Sequence, residues 1–146
     1  MTFPIEQRDV ARAERVIAAD VEEVYRTIEA VDRWSSWVDG VIAPVKTVDD
    51  RTFEVSRVHD GRMTAHHVAI TARGPVHSLT VEVDRVYRMQ FRTRPHPSGA
   101  HVEVITEPIV KRSWWTRLLN RRRDQGAGAR LETMLERLAA HLEHGG

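Results

Sequence analysis

Residues 113–144, SWWTRLLNRRRDQGAGARLETMLERLAAHLEH, decide the fold class that the sequence predicts. The second half of this stretch carries apolar side chains at helical spacing, namely Leu131, Met134, Leu135, Leu138 and Leu142. A stripe of this length is typical of a helix that buries one face against an apolar surface. Because the middle of the chain has the pattern of short strands, we expect that surface to be a sheet.

The first half of the stretch has a second apolar face that does not align with the leucine stripe. At about 100° per residue it points roughly half a turn away, and it consists of Trp114, Trp115, Leu118 and Leu119. A continuous helix would place Asn120 and Asp124 on the leucine side, where a core helix carries apolar residues. Either the helix breaks or kinks near Gly126 and Gly128, or its first half faces a cavity with polar groups. Both interpretations predict a pocket between helix and sheet.

Upstream of this stretch, the pattern predicts one strand and two short helices. The first strand covers residues 10–17. Asp20 then begins a helix as its N-cap, and Glu23 is the other half of a capping box. A second helical turn carries Trp34 and Trp37.

Six strands in a meander follow, each marked by β-branched or alternating residues. Asp60-Gly61 predicts a two-residue hairpin turn, and residues 95–99 are expected to form a loop. The strands are expected within residues 41–48, 53–59, 63–72, 79–83, 87–92 and 101–107. This order predicts an α+β fold, an antiparallel sheet with helices on one side.

Composition narrows the class of protein further. The chain has 146 residues, a net charge of +1 and no cysteine, so we expect one domain without disulfides, thiol catalysis or cysteine-bound zinc. The near-neutral charge gives no reason to expect a nucleic-acid partner. Residues 1–7 have no apolar core of signal-peptide length and no run could span a bilayer, so a cytoplasmic location is expected.

A loose combination of residues resembles the START-like superfamily (SRPBCC), which includes polyketide cyclases/dehydrases and lipid-transport proteins. It comprises Val16-Ile17-Ala18-Ala19-Asp20, then Val24-Tyr25, then Trp34 and Trp37 before the second strand. The resemblance runs over residues 10–143 and implies a helix-grip fold. In that fold a curved antiparallel sheet of about seven strands, two short helices and a long C-terminal helix enclose an apolar cavity. It also implies one START-like domain over residues 1–146, with 1–9 as an N-terminal tail.

The aromatase/cyclase branch of the superfamily presents a serine and an arginine, two residues apart, on the strand after the hairpin. Here Val68 and Ile70 stand at those positions. The pair that would polarise a poly-β-ketone is therefore replaced by aliphatic side chains, which argues against a cyclase unless another part of the cavity wall substitutes.

The same strand carries two polar candidates. Strand parity points Thr64 and His66 inward and His67 outward. His66 is a candidate general base near neutral pH. The alternative is a histidine on the cavity wall bonded to a neighbour or to water, since the sequence reveals no carboxylate to orient it.

Arg57 shares a strand face with Phe53 and Val55, so it is expected to point inward with them. A buried guanidinium needs a carboxylate or an anionic ligand group. Arg57 is therefore a candidate anchor for the acid group of a fatty-acid-like or polyketide-like ligand. Alternatively it reaches water from the strand end, or a bulge turns it outward.

The predicted cavity wall combines these polar groups with apolar side chains that could equally be plain core. The candidate ligand-binding residues are Trp37, Phe53, Val55, Arg57, Thr64, His66, Val68, Ile70, Val81, Tyr87, Met89, Phe91, Val104, Asn120 and Leu131. The eight histidines include no pair at helical metal-ligand spacing, so no metal site and no cofactor are expected.

A basic segment, residues 111–123, precedes the leucine stripe. Its candidate contacts with an anionic membrane surface are Lys111, Arg112, Trp114, Trp115 and Arg117. The alternative is a solvated helix face whose tryptophans pack at the cavity entrance.

The favoured function is binding or transport of a hydrophobic small molecule, a lipid or a polyketide, in the internal cavity. A polyketide cyclase/dehydrase with His66 or Asp124 as base is the alternative. A regulatory interaction protein acting through residues 111–123 is a third possibility. Either a monomer or a homodimer is expected.

Overall fold

Seven strands, two α-helices and a 3-10 helix form the part of the chain that the computed structural model describes, residues 10–74, 76–109 and 127–144. The strands are β1 (Ala11–Ile17), β2 (Val41–Thr47), β3 (Thr52–His59), β4 (Arg62–Gly74), β5 (Ser78–Val83), β6 (Tyr87–His96) and β7 (Gly99–Pro108). The helices are α1 (Val21–Glu29), the 3-10 helix (Val31–Ser36) and α2 (Ala127–His144).

The strands form one antiparallel sheet in the order β1-β7-β6-β5-β4-β3-β2. β2 to β7 follow one another as a meander, and β1 adds to the free edge of β7, with Ile17 opposite Ala100. The curved sheet, the short helices and the C-terminal helix confirm the predicted α+β helix-grip fold.

The β3–β4 hairpin fixes which side chains face the interior. Its turn, Asp60-Gly61, has positive φ at both residues, 52° and 75°, which matches the right-handed twist of the flanking strands. The turn sets Phe53 opposite Val68 and Arg57 opposite Thr64. We call the side of the sheet that carries these four side chains, together with their cross-strand partners on the other strands, the inner face. The residues next to them in sequence point to the opposite side, the outer face.

The core lies between the inner face and the helices. Leu131, Leu135, Leu138 and Leu142 of α2 are buried, which confirms the leucine stripe. α2 packs against β1, and two side chains tie it to distant main-chain groups. Arg137 Nε donates to the Trp37 carbonyl at 2.9 Å, and Glu143 Oε2 accepts from the Ala18 amide at 2.9 Å.

α1 closes one end of the inner face. The Asp20 side chain accepts from the Glu22 amide at 3.0 Å, as expected of an N-cap, and α1 buries Val24 and Ile28. Tyr25 packs edge-on against His77 at 5.2 Å between ring centroids. Burial raises the pKa of the Tyr25 phenol above its ordinary value, and the nearby Glu29 carboxylate raises it further.

One predicted boundary is wrong. Residues 95–99 were expected to form a loop, but β6 continues to His96 and β7 begins at Gly99, with Pro95 paired opposite Ala100. The proline fits because β5 pairs with β6 only as far as Arg92. Beyond that point no β5 carbonyl is aligned to accept from residue 95, so the missing N–H costs little.

Several predicted residues lie outside the described ranges. These are the tail 1–9, the basic segment 111–123 with Lys111, Arg112, Trp114, Trp115 and Arg117, and the polar pair Asn120 and Asp124. The predicted break near Gly126 falls on the same boundary, since the described helix begins at Ala127. In the ranges that the structure covers, no helix has the length and apolar character needed to cross a bilayer.

Replacing Gly99 with alanine is expected to lower the free energy of unfolding by at least about 2 kcal/mol. Gly99 has a φ of 140°, and an added Cβ would lie 2.2 Å from the Ile17 carbonyl oxygen, a main-chain atom of the β1 edge pairing. Gly61→Ala is the matched control, because its φ of 75° is also positive but nothing lies within 4 Å of the added carbon. Only the left-handed backbone cost of about 1 kcal/mol should apply there. Urea unfolding of both variants tests this; equal losses would contradict the steric argument.

Candidate functional site

Burial along the inner face falls from one end of the sheet to the other. Phe53 and Val55 of β3 are buried while Arg57 is half-buried; on β4, Val68 is buried while Thr64 is exposed. The open end is the one that carries the hairpin turns 60–61 and 84–86. A ligand lying on the inner face would therefore meet apolar groups at depth and polar groups near solvent.

The predicted wall residues lie on this face or pack onto it from the helices. Those that the structure buries are Trp37, Phe53, Val55, Val68, Ile70, Val81, Phe91, Val104 and Leu131. Tyr87, Met89 and His66 are half-buried, nearer the open end. Asn120 lies outside the described residues, so its predicted role stays a prediction.

Arg57 points to the inner face, and the β3–β4 pairing around it is free of bulges. Its Nε donates to the Asp39 carbonyl oxygen at 3.3 Å. Gly40, with a φ of 80°, makes this approach possible, since a Cβ there would lie 3.3 Å from Arg57 Cγ and 2.6 Å from the Val58 carbonyl oxygen. Among the described residues no carboxylate lies within 4 Å of the guanidinium.

Thr64, His66 and Asp84 form a hydrogen-bonded chain at the open end. The Thr64 hydroxyl lies 2.8 Å from His66 Nε2, and His66 Nδ1 lies 2.7 Å from Asp84 Oδ2. The side chains of His66 and Asp84 are 30% and 37% exposed, so a small molecule can reach them. We call these three residues the Thr-His-Asp relay.

Asp84 is the carboxylate that sequence reasoning missed. It belongs to the β5–β6 turn, and its second oxygen, Oδ1, accepts from the His67 amide at 2.8 Å. The Asp84 amide in turn donates to the His67 carbonyl at 2.8 Å. The expectation that no carboxylate orients His66 is therefore wrong. The sequence does place Asp84 directly after Val83, the end of a predicted strand. A carboxylate in that turn can reach the neighbouring strand, β4.

Three buried polar atoms of the described residues have no hydrogen-bond partner: the indole Nε1 of Trp37, the hydroxyl of Thr93 and Nδ1 of His101. Thr93 lies opposite Val102 on the inner face and is fully buried. Thr93 has the same strand parity as Met89 and Phe91, so the sequence pattern could have predicted its inward direction. Unpaired polar atoms in an apolar interior are costly, and those of Trp37 and Thr93 are the kind of group that fixes the orientation of a bound ligand.

Val68 and Ile70 are buried. In the aromatase/cyclase branch these two positions are expected to carry polar side chains. Val68 lies opposite Val83 and Ile70 opposite Val81. No polar pair therefore projects from these two positions.

A separate groove of about 490 Å³ lies outside the inner face, between α1, the 3-10 helix and α2. Its lining is mostly charged or polar, with Glu22, Arg26, Arg33 and His141 among its residues.

Comparison with known proteins supports the fold. No family model matches the chain, and no curated protein matches its sequence. Among solved structures, a protein of Thermus thermophilus has a TM-score of 0.74 and 17% identity, with 94% of this chain and 99% of that chain covered.

Two further solved structures with a similar fold are a START superfamily protein and an ARO/CYC protein. A START superfamily protein from Mycobacterium smegmatis has a TM-score of 0.68 and 14% identity, covering 94% of this chain and 99% of its own. The di-domain ARO/CYC StfQ from the steffimycin biosynthetic pathway has a TM-score of 0.70 and 13% identity, covering 99% of this chain and 54% of its own. The chain thus has the START-like fold. At these identities the likeness concerns the fold alone.

Thr93→Val is expected to raise the free energy of unfolding by about 1 kcal/mol, because it removes an unpaired buried hydroxyl and keeps the side-chain shape. Thr71→Val is the control, since that hydroxyl is exposed and donates to the Thr80 carbonyl. Its change should stay within about 0.5 kcal/mol. Urea unfolding measures both; destabilisation by Thr93→Val would mean that the hydroxyl has a partner in solution.

Proposed function

We propose that this protein binds a hydrophobic small molecule, a lipid or polyketide-like compound with an acidic or polar head, against the inner face of its sheet. The observation that carries the proposal is the change along that face, from buried aliphatic and aromatic side chains to the partly exposed polar group of Arg57, Thr64 and His66. Among the described residues no carboxylate pairs with Arg57, and the His66 side chain is 30% exposed, so both groups can meet the polar end of a ligand.

The apolar part of the face would supply most of the affinity. Burial of apolar surface contributes about 25 cal/mol per Å² before the costs of association and ordering. Few polar groups are then needed, and their role is to select the head group and fix its position. Trp37 Nε1 and the Thr93 hydroxyl are the buried candidates for a carbonyl or hydroxyl on the ligand.

Arg57 is the group that would recognise an acid. Its guanidinium is held on one side by the Asp39 carbonyl, and a carboxylate can accept from nitrogens that this bond leaves free. The START superfamily protein and the ARO/CYC StfQ have the same fold, which supports a ligand-binding role without naming the ligand.

A polyketide cyclase is the second candidate, and the observation that favours it is the pairing of His66 with Asp84 at 2.7 Å. An imidazole oriented by a carboxylate is a competent general base for aldol closure. The apolar Val68 and Ile70 count against it. A cyclised aromatic compound copurified with the protein would move this candidate ahead of simple binding.

Native mass spectrometry of the freshly purified protein, followed by solvent extraction, tests whether a ligand is carried. An apolar adduct near one per chain is the expected result. A protein that is empty and also ignores a panel of fatty acids and aromatic polyketides would overturn the proposal.

Arg57→Met should weaken a fatty acid by about 10-fold or more and change the alcohol of the same chain length by less than about 3-fold, because only the acid gains a charge-assisted hydrogen bond. Arg94→Met, on the outer face of β6, is the charge-matched control and should alter neither. Displacement of a fluorescent fatty acid gives both dissociation constants. Equal losses for acid and alcohol would show that Arg57 does not recognise the head group.

A further inference from the structure

The hydrogen bonds of the Thr-His-Asp relay run in one direction, which binding of a head group does not require. An ionised carboxylate can only accept hydrogen bonds, so Asp84 places the proton of a neutral His66 on Nδ1. Nε2 is then an acceptor, and the nearest hydroxyl, that of Thr64 at 2.8 Å, donates to it. The other acceptor near Thr64, the Arg57 carbonyl, lies at the limit of 3.5 Å. The hydroxyl proton is thus directed at a base that a carboxylate orients.

The turn that holds Asp84 is built for fixed placement. Asp84 and Arg85 both have positive φ, 55° and 58°, although neither is glycine. Positive φ at two successive residues is typical of tight hairpin turns, and aspartate tolerates it better than arginine does. Here two main-chain bonds and two side-chain bonds join Asp84 and the turn to β4 and β5. These bonds fix the main chain of Asp84 next to β4.

The strand next to the relay carries an arginine. Arg57 lies directly opposite Thr64 on the same face, where cross-strand Cβ atoms are about 5 Å apart. A nucleophile within hydrogen-bond reach of a base and a third group that orients the base are two requirements of acyl transfer. A positive charge for the oxyanion is the third, and it would come from the terminal nitrogens of Arg57, whose Nε is held by the Asp39 carbonyl.

We propose that the relay is a nucleophilic site that hydrolyses carboxylic esters. Thr64 Oγ1 attacks the ester carbonyl carbon while His66 Nε2 takes the hydroxyl proton, and the Arg57 cation stabilises the oxyanion. The bond to the alcohol oxygen then breaks, and the alcohol leaves with that proton. Water attacks the acyl-threonine in the same way, releasing the acid and returning the proton to Thr64. The sum is ester plus water to acid plus alcohol.

This inference depends on the proposed function only for the acyl chain, which would lie on the apolar inner face. Short esters need no such binding. Hydrolysis of p-nitrophenyl acetate therefore tests the relay, and binding of decanoic acid tests the proposed function independently.

Thr64→Val and His66→Gln should each lower kcat/KM for p-nitrophenyl acetate by about 100-fold or more, while Thr64→Ser retains activity within about 10-fold. Asparagine tolerates the left-handed backbone at position 84, so the kcat/KM of Asp84→Asn should lie between those of Thr64→Val and Thr64→Ser. His59→Gln is the matched control, because His59 Nε2 also lies near a carboxylate, Asp60 Oδ2 at 3.3 Å, at the exposed tip of the β3–β4 turn. It should leave the rate unchanged.

Acid quenching during turnover, followed by intact and peptide mass spectrometry, should show an acetyl group on Thr64 in the unaltered protein and none in Thr64→Val. A Thr64→Val rate within about 3-fold of the unaltered protein would overturn the inference, since histidine alone cleaves activated esters slowly. Thr64-dependent hydrolysis without decanoic acid binding would support the relay and contradict the proposed function. Binding without Thr64-dependent hydrolysis would do the reverse.

Discussion

The pairing of Phe53 with Val68, and of Arg57 with Thr64, is the constraint on which the rest of the structure depends. Because side chains alternate between faces, a shift of one residue would send Glu54 and His67 into the core and would turn Arg57, Thr64 and His66 toward solvent. The Asp60-Gly61 turn prevents that shift, since two left-handed residues permit only one closure of the hairpin. One turn thus positions both the apolar floor and the polar end of the inner face.

The inner face has two kinds of chemistry because the helices cover it unevenly. α1 and the 3-10 helix close one end, where Ile28, Val31 and Trp34 are buried, while the described residues leave the opposite end partly exposed. Apolar side chains gain stability from burial, whereas an arginine or a histidine is tolerated where water or a ligand can reach it. The polar groups therefore occur where their desolvation costs the least free energy. This is also where they can act on something that enters.

Local patterns in the sequence predict most of the fold. Alternation along the strands, the Asp60-Gly61 turn, the Asp20 cap and the leucine stripe each depend on neighbours within a few residues, and each is found as expected. The inward direction of Arg57, Thr64 and His66 follows from the same parity. The meeting of His66 with Asp84 does not, because it depends on where the turn of a second hairpin falls against β4. The extension of β6 through Pro95 was missed for a similar reason: it depends on where β5 ends, not on the proline itself.

The bonds that hold α2 have a consequence for how the chain acquires its structure during synthesis. Arg137 reaches Trp37, 100 residues earlier, and Glu143 reaches Ala18, 125 residues earlier, while β1 must wait for β7 before it has a partner in the sheet. A ribosome therefore releases nearly the whole meander before the groups that complete the core have been made. Contacts between such distant parts of a chain form slowly, and unpaired strand edges are exposed meanwhile. The nascent chain has most need of protection by chaperones in the interval between translation of the strands and translation of α2.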